Sequence, residues 1–342
     1  MSKLLVVGGC GYIGSHTVKY LLYKGHDVVV LDNLSTGFKE SLLGGALIIG
    51  NCGNRKHLDR LLATHSFDGV LHFASLIQVG ESVVNPGKYY LNNVVNTLTL
   101  LQALKDHQVG PLVFSSTAAV YGEPQTPLLS EDHPQKPLNP YGMSKLMVEH
   151  MLKDFSHAYG LRSVALRYFN ASGADPLTRI GERHAPETHL IPLALQAALG
   201  LRGPLSVYGR DYATPDGTCI RDYIHVDDLA EAHLLALEYL WQGGETAAFN
   251  LGNGDGFSVQ QVLDTIEGVT GYAVPFENAP RRSGDPARLV ADAQLAKQTL
   301  GWAPRYATLP TIIKHAWQWE AKRPSVLSRP TKLSQPTKHY AA

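Results

Sequence analysis

Short apolar runs alternate with longer stretches of helical spacing through the first half of the chain. The apolar runs predict strands at 4–7, 28–31, 46–49, 70–73, 112–115 and 164–168. Between these runs, apolar residues recur every three or four positions, which predicts helices at 12–24, 55–64, 86–106 and 141–159. Strands and helices that alternate at these lengths are typical of an α/β fold built on a doubly wound parallel sheet.

The pattern loosens beyond Asn170, where proline, glycine and histidine become frequent. Helices predicted at 191–200, 227–241 and 258–270, with a short strand at 205–208, indicate a smaller, loop-rich C-terminal domain that binds the substrate. We therefore predict a nucleotide-binding domain at 1–170, a substrate-binding domain at 171–322 and a flexible tail at 323–342, which is rich in proline and polar residues.

Composition and charge exclude several classes of function. The 30 Lys and Arg residues balance 30 Asp and Glu residues, so we expect no basic surface for nucleic acid. The sequence has neither an 18-residue apolar run nor a signal-peptide pattern, so we expect no membrane association. Three widely spaced cysteines are typical of a reducing compartment, which predicts a cytoplasmic protein.

A glycine-rich loop, Gly8-Gly9-Cys10-Gly11-Tyr12-Ile13-Gly14, joins the first predicted strand to the first predicted helix. In this context glycines let the backbone approach a pyrophosphate, while the helix N-terminus favours its negative charge. Asp32 ends the second predicted strand, where a carboxylate suits a ribose diol and repels a 2′-phosphate. We therefore predict a Rossmann domain that binds NAD rather than NADP; the alternative is a glycine turn that binds nothing.

Tyr141 and Lys145 are the candidate catalytic residues, because two positions four apart share one face of a helix. A nearby ammonium would lower the pKa of the phenol from about 10, so that Tyr141 could act as a base on a hydroxyl. Ser115, Ser116 and Thr117 end the fifth predicted strand at the edge of the sheet where ligands bind. Alternatively, these three hydroxyls only satisfy nearby backbone groups.

The fifteen histidines raise the question of a metal site. The pairs His184/His189 and His150/His157 lack cysteines or acids that would complete a set of ligands, so we predict no metal.

Several stretches together resemble the extended short-chain dehydrogenase/reductase family and, within it, the UDP-glucose 4-epimerases. The resemblance extends from Lys3 to about Trp319 and rests on residues 8–16, 32–37, 79–82, 114–122, 141–149, 167–170, 211–228 and 282–292. It implies an NAD-dependent enzyme that interconverts UDP-glucose and UDP-galactose at C4 through a 4-keto intermediate. It also implies a homodimer joined through the helices at 84–106 and 141–159.

The resemblance implies roles for individual residues. Tyr141 would be the catalytic base and acid, Lys145 its electrostatic partner, and Thr117 a hydrogen-bonding group near the sugar O4. The cofactor-binding set would be Gly8, Gly11, Tyr12, Ile13, Gly14, Asp32, Asn33, Ser35, Thr36, Gly37, Asn51, Cys52, Phe73, Ala74, Ser75, Asn92, Ser115, Tyr141, Lys145 and Tyr168. The substrate-binding set would be Thr117, Tyr141, Asn170, His189, Leu190, Tyr208, Arg221, Arg282, Asp285 and Leu289. In that set, Arg221 and Arg282 would clamp the diphosphate. Asp285 would hold the uridine ribose, and Tyr208 would pack on the uracil.

The chain departs from the family pattern at Asn51-Cys52, where an acid and an apolar residue are common, and at Ile77, where some members have lysine. Leu289 occupies a position that limits the size of the sugar pocket in the family.

The alternative functions are a 4-epimerase for UDP-GlcNAc/GalNAc, a UDP-pentose or a UDP-uronate, a nucleotide-sugar 4,6-dehydratase, and a non-catalytic NAD sensor. Ala118-Ala119 stands where dehydratases have an Asp-Glu pair, and a sensor would not need both Tyr141 and Lys145.

Overall fold

A parallel β-sheet forms the centre of the fold, because most of its strands are apolar along their length and pack against helices on both faces. The computed structural model describes residues 1–282 and 284–327, with side chains to residue 322. Within that part of the chain the strands are β1 (Lys3–Val7), β2 (Asp27–Asp32), β3 (Ala46–Ile49), β4 (Gly69–His72), β5 (Leu112–Thr117), β6 (Ser163–Tyr168), β7 (Asn170–Ser172), β8 (Leu205–Tyr208), β9 (Ile220–Arg221), β10 (Tyr223–His225), β11 (Ala247–Leu251), β12 (Phe257–Ser258), β13 (Phe276–Ala279) and β14 (Arg288–Leu289).

The helices of the first half lie close to their predicted positions. Among the described residues they are α1 (Tyr12–Tyr23), α2 (Arg55–Thr64), α3 (Val79–Val84), α4 (Pro86–Tyr89), α5 (Asn96–Asp106), α6 (Pro140–Tyr159), α7 (Leu190–Ala198), α8 (Val226–Trp241), α9 (Val259–Thr270), α10 (Gln294–Leu300) and α11 (Leu309–Leu327). The predicted helix 86–106 is divided, because a π-helical turn at Tyr90–Val95 separates α4 from α5. None of these helices is both long and apolar enough to span a bilayer.

The central sheet has the strand order β11-β6-β5-β4-β1-β2-β3, and its neighbouring strands all run parallel. Successive residues of a strand face opposite sides. Leu4 therefore packs with Leu21 of α1 and Leu237 of α8 on one face, whereas Leu5 packs with Leu104 of α5 on the other. Helices on both faces of a parallel sheet confirm the predicted doubly wound α/β fold.

The sheet takes one strand from beyond residue 170. β11 pairs with β6 through a register that runs from Ala247↔Val164 to Leu251↔Tyr168, and α8 packs against α1. The division into 1–170 and 171–322 stays a prediction, although the central sheet itself crosses it. α11 extends through 323–327 of the predicted flexible tail, and the remainder of that tail, 328–342, lies outside the described residues.

The C-terminal part has a second apolar core, in which Leu195 of α7, Val262 of α9 and Ile313 of α11 are buried together. Short strand pairs extend from it towards the sheet: β9 pairs with β12 and β14, β8 with β13, and β7 with β10. Because β7 follows β6 after one residue, these strands join the central sheet at its carboxyl edge. That edge is where ligands of doubly wound sheets bind.

Candidate active site

The glycine loop between β1 and α1 forms a backbone cradle at the carboxyl edge of the sheet. Gly8 has a φ of +84°, and a Cβ atom there would lie 2.5 Å from the backbone nitrogen of Ala74. A Cβ atom on Gly14 would lie 2.3 Å from the Gly8 carbonyl oxygen, so only glycine lets α1 begin this close to the strand. At the N-cap, Gly11 supplies no side-chain hydrogen bond, and the first turn has no acidic residue. The cradle therefore suits an anion such as a pyrophosphate.

Asp32 ends β2 as predicted, and backbone groups hold its carboxylate. Its Oδ2 accepts a hydrogen bond from the Cys10 N–H at 2.8 Å, and its Oδ1 accepts one from the Leu34 N–H at 2.8 Å. These bonds fasten the loop that contains Asn33, Ser35, Thr36 and Gly37 beside the glycine loop. A carboxylate oxygen can accept more than one hydrogen bond, so Asp32 keeps the capacity to accept hydrogen bonds from a ribose diol.

The remaining predicted cofactor residues lie at other strand ends and on one helical turn. Asn51 and Cys52 follow β3, where the Asn51 side chain accepts a backbone N–H at 2.7 Å. Burial raises the pKa of the Cys52 thiol to about 11, so it stays protonated at neutral pH. Phe73 and Ala74 follow β4, and Asn92 lies in the π-helical turn that packs against α6.

Lys145 is buried between α6 and the ends of β4 and β5, with 1% of its surface exposed. Asn139 caps α6 by accepting a backbone N–H at 2.9 Å, which fixes the first turn of the helix. Lys145 Nζ donates to the Ser115 carbonyl oxygen at 2.7 Å and to Ser75 Oγ at 2.8 Å. Burial lowers the pKa of Lys145 to about 7.

Tyr141 shares a hydrogen bond with Thr117, whereas the Lys145 nitrogen lies 6.0 Å from the centre of its ring. Burial raises the pKa of Tyr141 above its ordinary value, and the bond with Thr117 only partly opposes this effect. The expectation that Lys145 lowers the pKa of Tyr141 is therefore wrong for the protein alone. The reason is that desolvation of the phenol outweighs the neighbouring charge, which is engaged by two oxygens of its own.

Tyr168 belongs to an aromatic wall beside this pair. Its hydroxyl forms a hydrogen bond with Ser115, and the β5–β6 register places it opposite Thr117. The buried His233 of α8 lies 4.6 Å from Phe73 and 6.0 Å from Tyr168, measured between ring centres. Sequence reasoning missed His233, because nothing in its local pattern indicates that α8 crosses these strand ends.

A buried ion pair joins α6, which carries Tyr141, to β6, the neighbour of the strand that carries Thr117. Arg167 of β6 lies 2.6 Å from Glu149 of α6, and their side chains are 2% and 3% exposed. Ser116 donates to Glu149, and Arg167 donates to the Tyr121 hydroxyl at 3.0 Å. Tyr121 in turn donates to Asn250 of β11 at 2.6 Å. The sequence analysis assigned Glu149 no role, although it lies one helical turn beyond Lys145 on the same face of α6.

Four predicted substrate residues lie around the short strands β7, β9 and β14. Leu289 is paired with Arg221, which forms an ion pair with Asp285. The backbone N–H of Asn170 donates to the carbonyl of Asp222, directly beside Arg221, at 3.0 Å. Leu289 also packs against the apolar cluster that follows Thr117, which consists of Ala118, Val120, Tyr121, Leu129 and Leu146. The structure therefore brings Leu289 between the predicted diphosphate ligand and the strand that carries Thr117.

Tyr208 and Arg282 form a separate, more exposed pair. The guanidinium carbon of Arg282 lies 4.0 Å from the centre of the Tyr208 ring, and Tyr208 is 36% exposed. The two residues predicted to contact uracil and diphosphate thus stack on each other, and both roles stay predictions.

His184 and His189 have acidic neighbours that the sequence analysis did not recognise. The Nδ1 atom of His189 lies 2.8 Å from Glu182 and 3.1 Å from Glu187, and that of His184 lies 3.4 Å and 3.3 Å from the same carboxylates. The premise that this histidine pair lacks acids is therefore wrong. Burial acts to lower both histidine pKa values, but the two carboxylates raise them to about 9 for His184 and about 10 for His189. Leu190 follows as the first residue of α7.

The geometry can be compared with that of known proteins. The model of the NAD dependent epimerase/dehydratase family matches residues 4–252. A curated relative, the UDP-glucose 4-epimerase of Halalkalibacterium halodurans, is 53% identical over 321 residues, which cover 94% of this chain and 96% of the relative.

Solved structures show the same similarity. The UDP-glucose 4-epimerase from Brucella ovis in complex with NAD is 48% identical, with a TM-score of 0.91 and coverage of 94% of this chain and 99% of that one. The UDP-Glc/GlcNAc 4-epimerase from Campylobacter jejuni is 44% identical, with a TM-score of 0.83 and coverage of 94% and 100%. As the resemblance of its motifs predicted, the chain belongs to the NAD dependent epimerase/dehydratase family.

Proposed function

We propose that the protein is an NAD-dependent UDP-glucose 4-epimerase, which interconverts UDP-glucose and UDP-galactose. The observation that carries the proposal is the hydrogen-bonded pair of Tyr141 and Thr117, which lies at the sheet edge where Gly8 and Gly14 form a dinucleotide cradle. Membership of an NAD-dependent family supports NAD as the cofactor. Full-length relatives named for this reaction favour it over the dehydratase and sensor alternatives.

In this mechanism Tyr141 removes the proton from the sugar O4 hydroxyl and later returns it to the same oxygen, once the 4-keto sugar has turned so that the hydride returns to C4 on the opposite face. Bound NAD would supply the acceptor for the C4 hydride and a positive charge beside the phenol. Thr117, already hydrogen-bonded to Tyr141, would orient O4. Because burial raises the pKa of Tyr141 despite the nearby Lys145, positive charge from the cofactor would be needed to make the phenolate accessible at neutral pH.

The substrate residues would hold the nucleotide while the sugar turns. Arg221 and Arg282 provide guanidinium groups suited to a diphosphate, and Asp285, which pairs with Arg221, provides a carboxylate for the uridine ribose. The apolar Leu289 side chain offers no hydrogen bond to the sugar. An apolar wall would let the 4-keto sugar present either face, whereas the diphosphate stays anchored.

The direct test is to incubate the purified protein with UDP-galactose, without added NAD, and to record UDP-glucose by ¹H NMR. We expect conversion in both directions with no net oxidation, because retained NAD is regenerated in each cycle. Accumulation of NADH in proportion to product would indicate a dehydrogenase instead. Loss of water from the sugar would indicate a dehydratase.

We further propose that two chains associate through an apolar helix surface formed by Val83, Val84, Leu91, Val95 and Met147. These side chains are 61%, 86%, 61%, 48% and 40% exposed. They belong to α3, the π-helical turn and α6, which pack against each other. Exposed apolar residues on neighbouring helices favour a protein partner.

A cytoplasmic location is part of the same proposal. Cys10, Cys52 and Cys219 are free thiols in the structure, and all three are buried. Free thiols are typical of a reducing compartment.

A further inference from the structure

Four side chains with metal-binding donor atoms meet in the loop between β7 and α7. Glu182, His184, Glu187 and His189 each offer one donor atom, and all four atoms lie within 4.8 Å of one another. Glu182 is buried and the other three residues are partly buried. The proposed epimerase reaction gives no role to Glu182, His184 or Glu187, and only His189 of the four belongs to the predicted substrate-binding set.

The spacing of these atoms is close to that around a coordinated metal ion. Each imidazole Nδ1 lies near both carboxylates, and the four distances are 2.8, 3.1, 3.3 and 3.4 Å. A tetrahedral site with metal–ligand bonds of about 2.0–2.1 Å separates its ligand atoms by about 3.3 Å. Small movements of the side chains would therefore allow all four to bind one ion.

The chemistry of the four donors also selects a class of ion. Two carboxylates balance the charge of a divalent cation, and two imidazoles favour zinc and its neighbours over magnesium or calcium, which prefer all-oxygen sites. We propose that Glu182, His184, Glu187 and His189 form a binding site for one zinc-class divalent ion.

The surrounding structure holds these ligands in position. The carboxylate of Glu187 accepts the backbone N–H groups of Thr188 and His189 at 2.9 Å and 3.0 Å. The Glu182 carbonyl accepts the indole N–H of Trp319 from α11 at 3.0 Å. Outer contacts of this kind orient the ligands of a metal site and reduce the conformational entropy lost on binding.

An ion at this site would connect three parts of the fold. His189 is the N-cap residue of α7, and the backbone of Glu182 is fastened to α11. His184 packs edge-on against Tyr12 of the glycine loop, with ring centres 6.2 Å apart. Metal binding should therefore stabilise the folded chain whether or not substrate is present.

The test uses untagged full-length protein that has been treated with a chelator and dialysed at about pH 8. Metal binding displaces protons from the imidazole ligands, so it is stronger at this pH than under acidic conditions. Titration with CoCl₂ should produce the intense visible absorption of tetrahedral Co²⁺, saturating at one ion per chain, and ZnCl₂ should abolish it. Zinc at about one hundred times its dissociation constant should raise the melting temperature by about 2–4 °C.

The double variant His184→Gln/His189→Gln should lose both effects, whereas His150→Gln/His157→Gln, which removes two exposed histidines of α6, should keep them. Wild-type protein that gives no tetrahedral cobalt spectrum would overturn the proposal, and this outcome needs no variant to fold. Equal zinc stabilisation of the wild type and the His184/His189 variant would also overturn it.

Discussion

The acidity of Tyr141 is set by its neighbours. Burial raises the pKa of the phenol, and the hydrogen bond with Thr117 lowers it only in part. The Lys145 ammonium is engaged by Ser75 and Ser115, and its own pKa falls to about 7. We therefore expect the catalytic acidity of Tyr141 to appear fully only when positive charge from the cofactor is added.

Removal of the Tyr141 hydroxyl should stop proton transfer without disturbing the fold. We expect Tyr141→Phe to lower kcat for UDP-galactose by about 10²–10⁴, the usual contribution of general acid–base catalysis. The measurement is the rate of UDP-glucose formation by NMR, together with the NAD content of each protein. Tyr159→Phe, which removes an exposed hydroxyl at the end of the same helix, is the matched control and should leave kcat unchanged. Turnover of Tyr141→Phe at the control rate would exclude Tyr141 as the base.

Leu289 is placed to influence which sugars enter. It lies opposite Arg221 and packs against the cluster that includes Ala118 and Tyr121. We expect Leu289→Tyr to shift specificity away from UDP-GlcNAc while UDP-galactose turnover persists, because a larger side chain leaves less room for an N-acetyl group. The change should correspond to about 1–3 kcal/mol in the ratio of the two kcat/KM values. If that ratio is unchanged, Leu289 is a packing residue and does not contact the sugar.

Among the elements, α8 is joined to the segment before α11 through one buried carboxylate. Asp228 accepts the backbone N–H groups of Arg305 and Tyr306, each at 2.9 Å, and the Trp302 indole donates to its carbonyl at 3.0 Å. Burial raises the pKa of Asp228 to about 6. An unfolded aspartate has a pKa near 3.9, so between about pH 4 and pH 6 Asp228 is protonated in the folded chain but ionised in the unfolded chain.

This difference predicts the direction of a pH effect on stability. The raised pKa means that ionisation of Asp228 costs stability as the pH rises through about 4 to 6, and that acidification restores it. Between about pH 7 and pH 4.5, we expect the wild type to gain about 1–3 kcal/mol of unfolding free energy relative to Asp228→Asn, measured by urea denaturation. Asp27→Asn, which removes a partly exposed carboxylate that pairs with Lys3, is the surface control. A constant difference between wild type and Asp228→Asn across this range would contradict the assignment.

The strands and helices that were predicted correctly are those with a clear pattern in the local sequence. β1, β2, β4, β5 and β6 were predicted because a largely buried strand shows as an apolar run. β3 was predicted from its apolar run as well, although it lies at the edge of the sheet and its ends are exposed. The place of β11 in the sheet was not predicted, because its partner β6 lies some eighty residues earlier and the pairing has no local signature. The π-helical turn within 86–106 was missed for the same reason, since α-helical spacing continues through it.

The features of the candidate site also fall into two groups, those with a local sequence signal and those without one. The glycine loop, Asp32 and the Tyr141/Lys145 pair were recognisable because each depends on short, fixed spacing. The direction of the Tyr141 pKa shift could not be predicted from the sequence, because desolvation of the phenol depends on how the chain folds around it. The grouping of Glu182 with His189 was missed because the chain between them folds back on itself, which linear spacing does not reveal.

For the whole molecule, the apolar helix surface predicts an assembly. In Val84→Glu, a side chain that is 86% exposed in the single chain becomes charged. If two copies bury this surface, an unpaired carboxylate there should cost several kcal/mol and convert a dimer into monomers. Sedimentation velocity would measure this change.

Tyr23→Glu is the matched control, because Tyr23 is 83% exposed and lies at the end of α1. It should leave the mass of the particle unchanged. A monomeric wild type, or a Val84→Glu variant that sediments like the wild type, would contradict the proposed dimer surface.

The strand that the central sheet takes from the C-terminal half has a consequence for synthesis on the ribosome. β6 is complete at Tyr168, but the strand that covers its edge ends only at Leu251. At ordinary rates of translation, that edge stays open for roughly 4–16 s. An open apolar edge is a template for pairing with another chain, so nascent chains in this interval should be the most dependent on chaperones. Slower codons between residues 170 and 251 should therefore increase aggregation of the newly made protein.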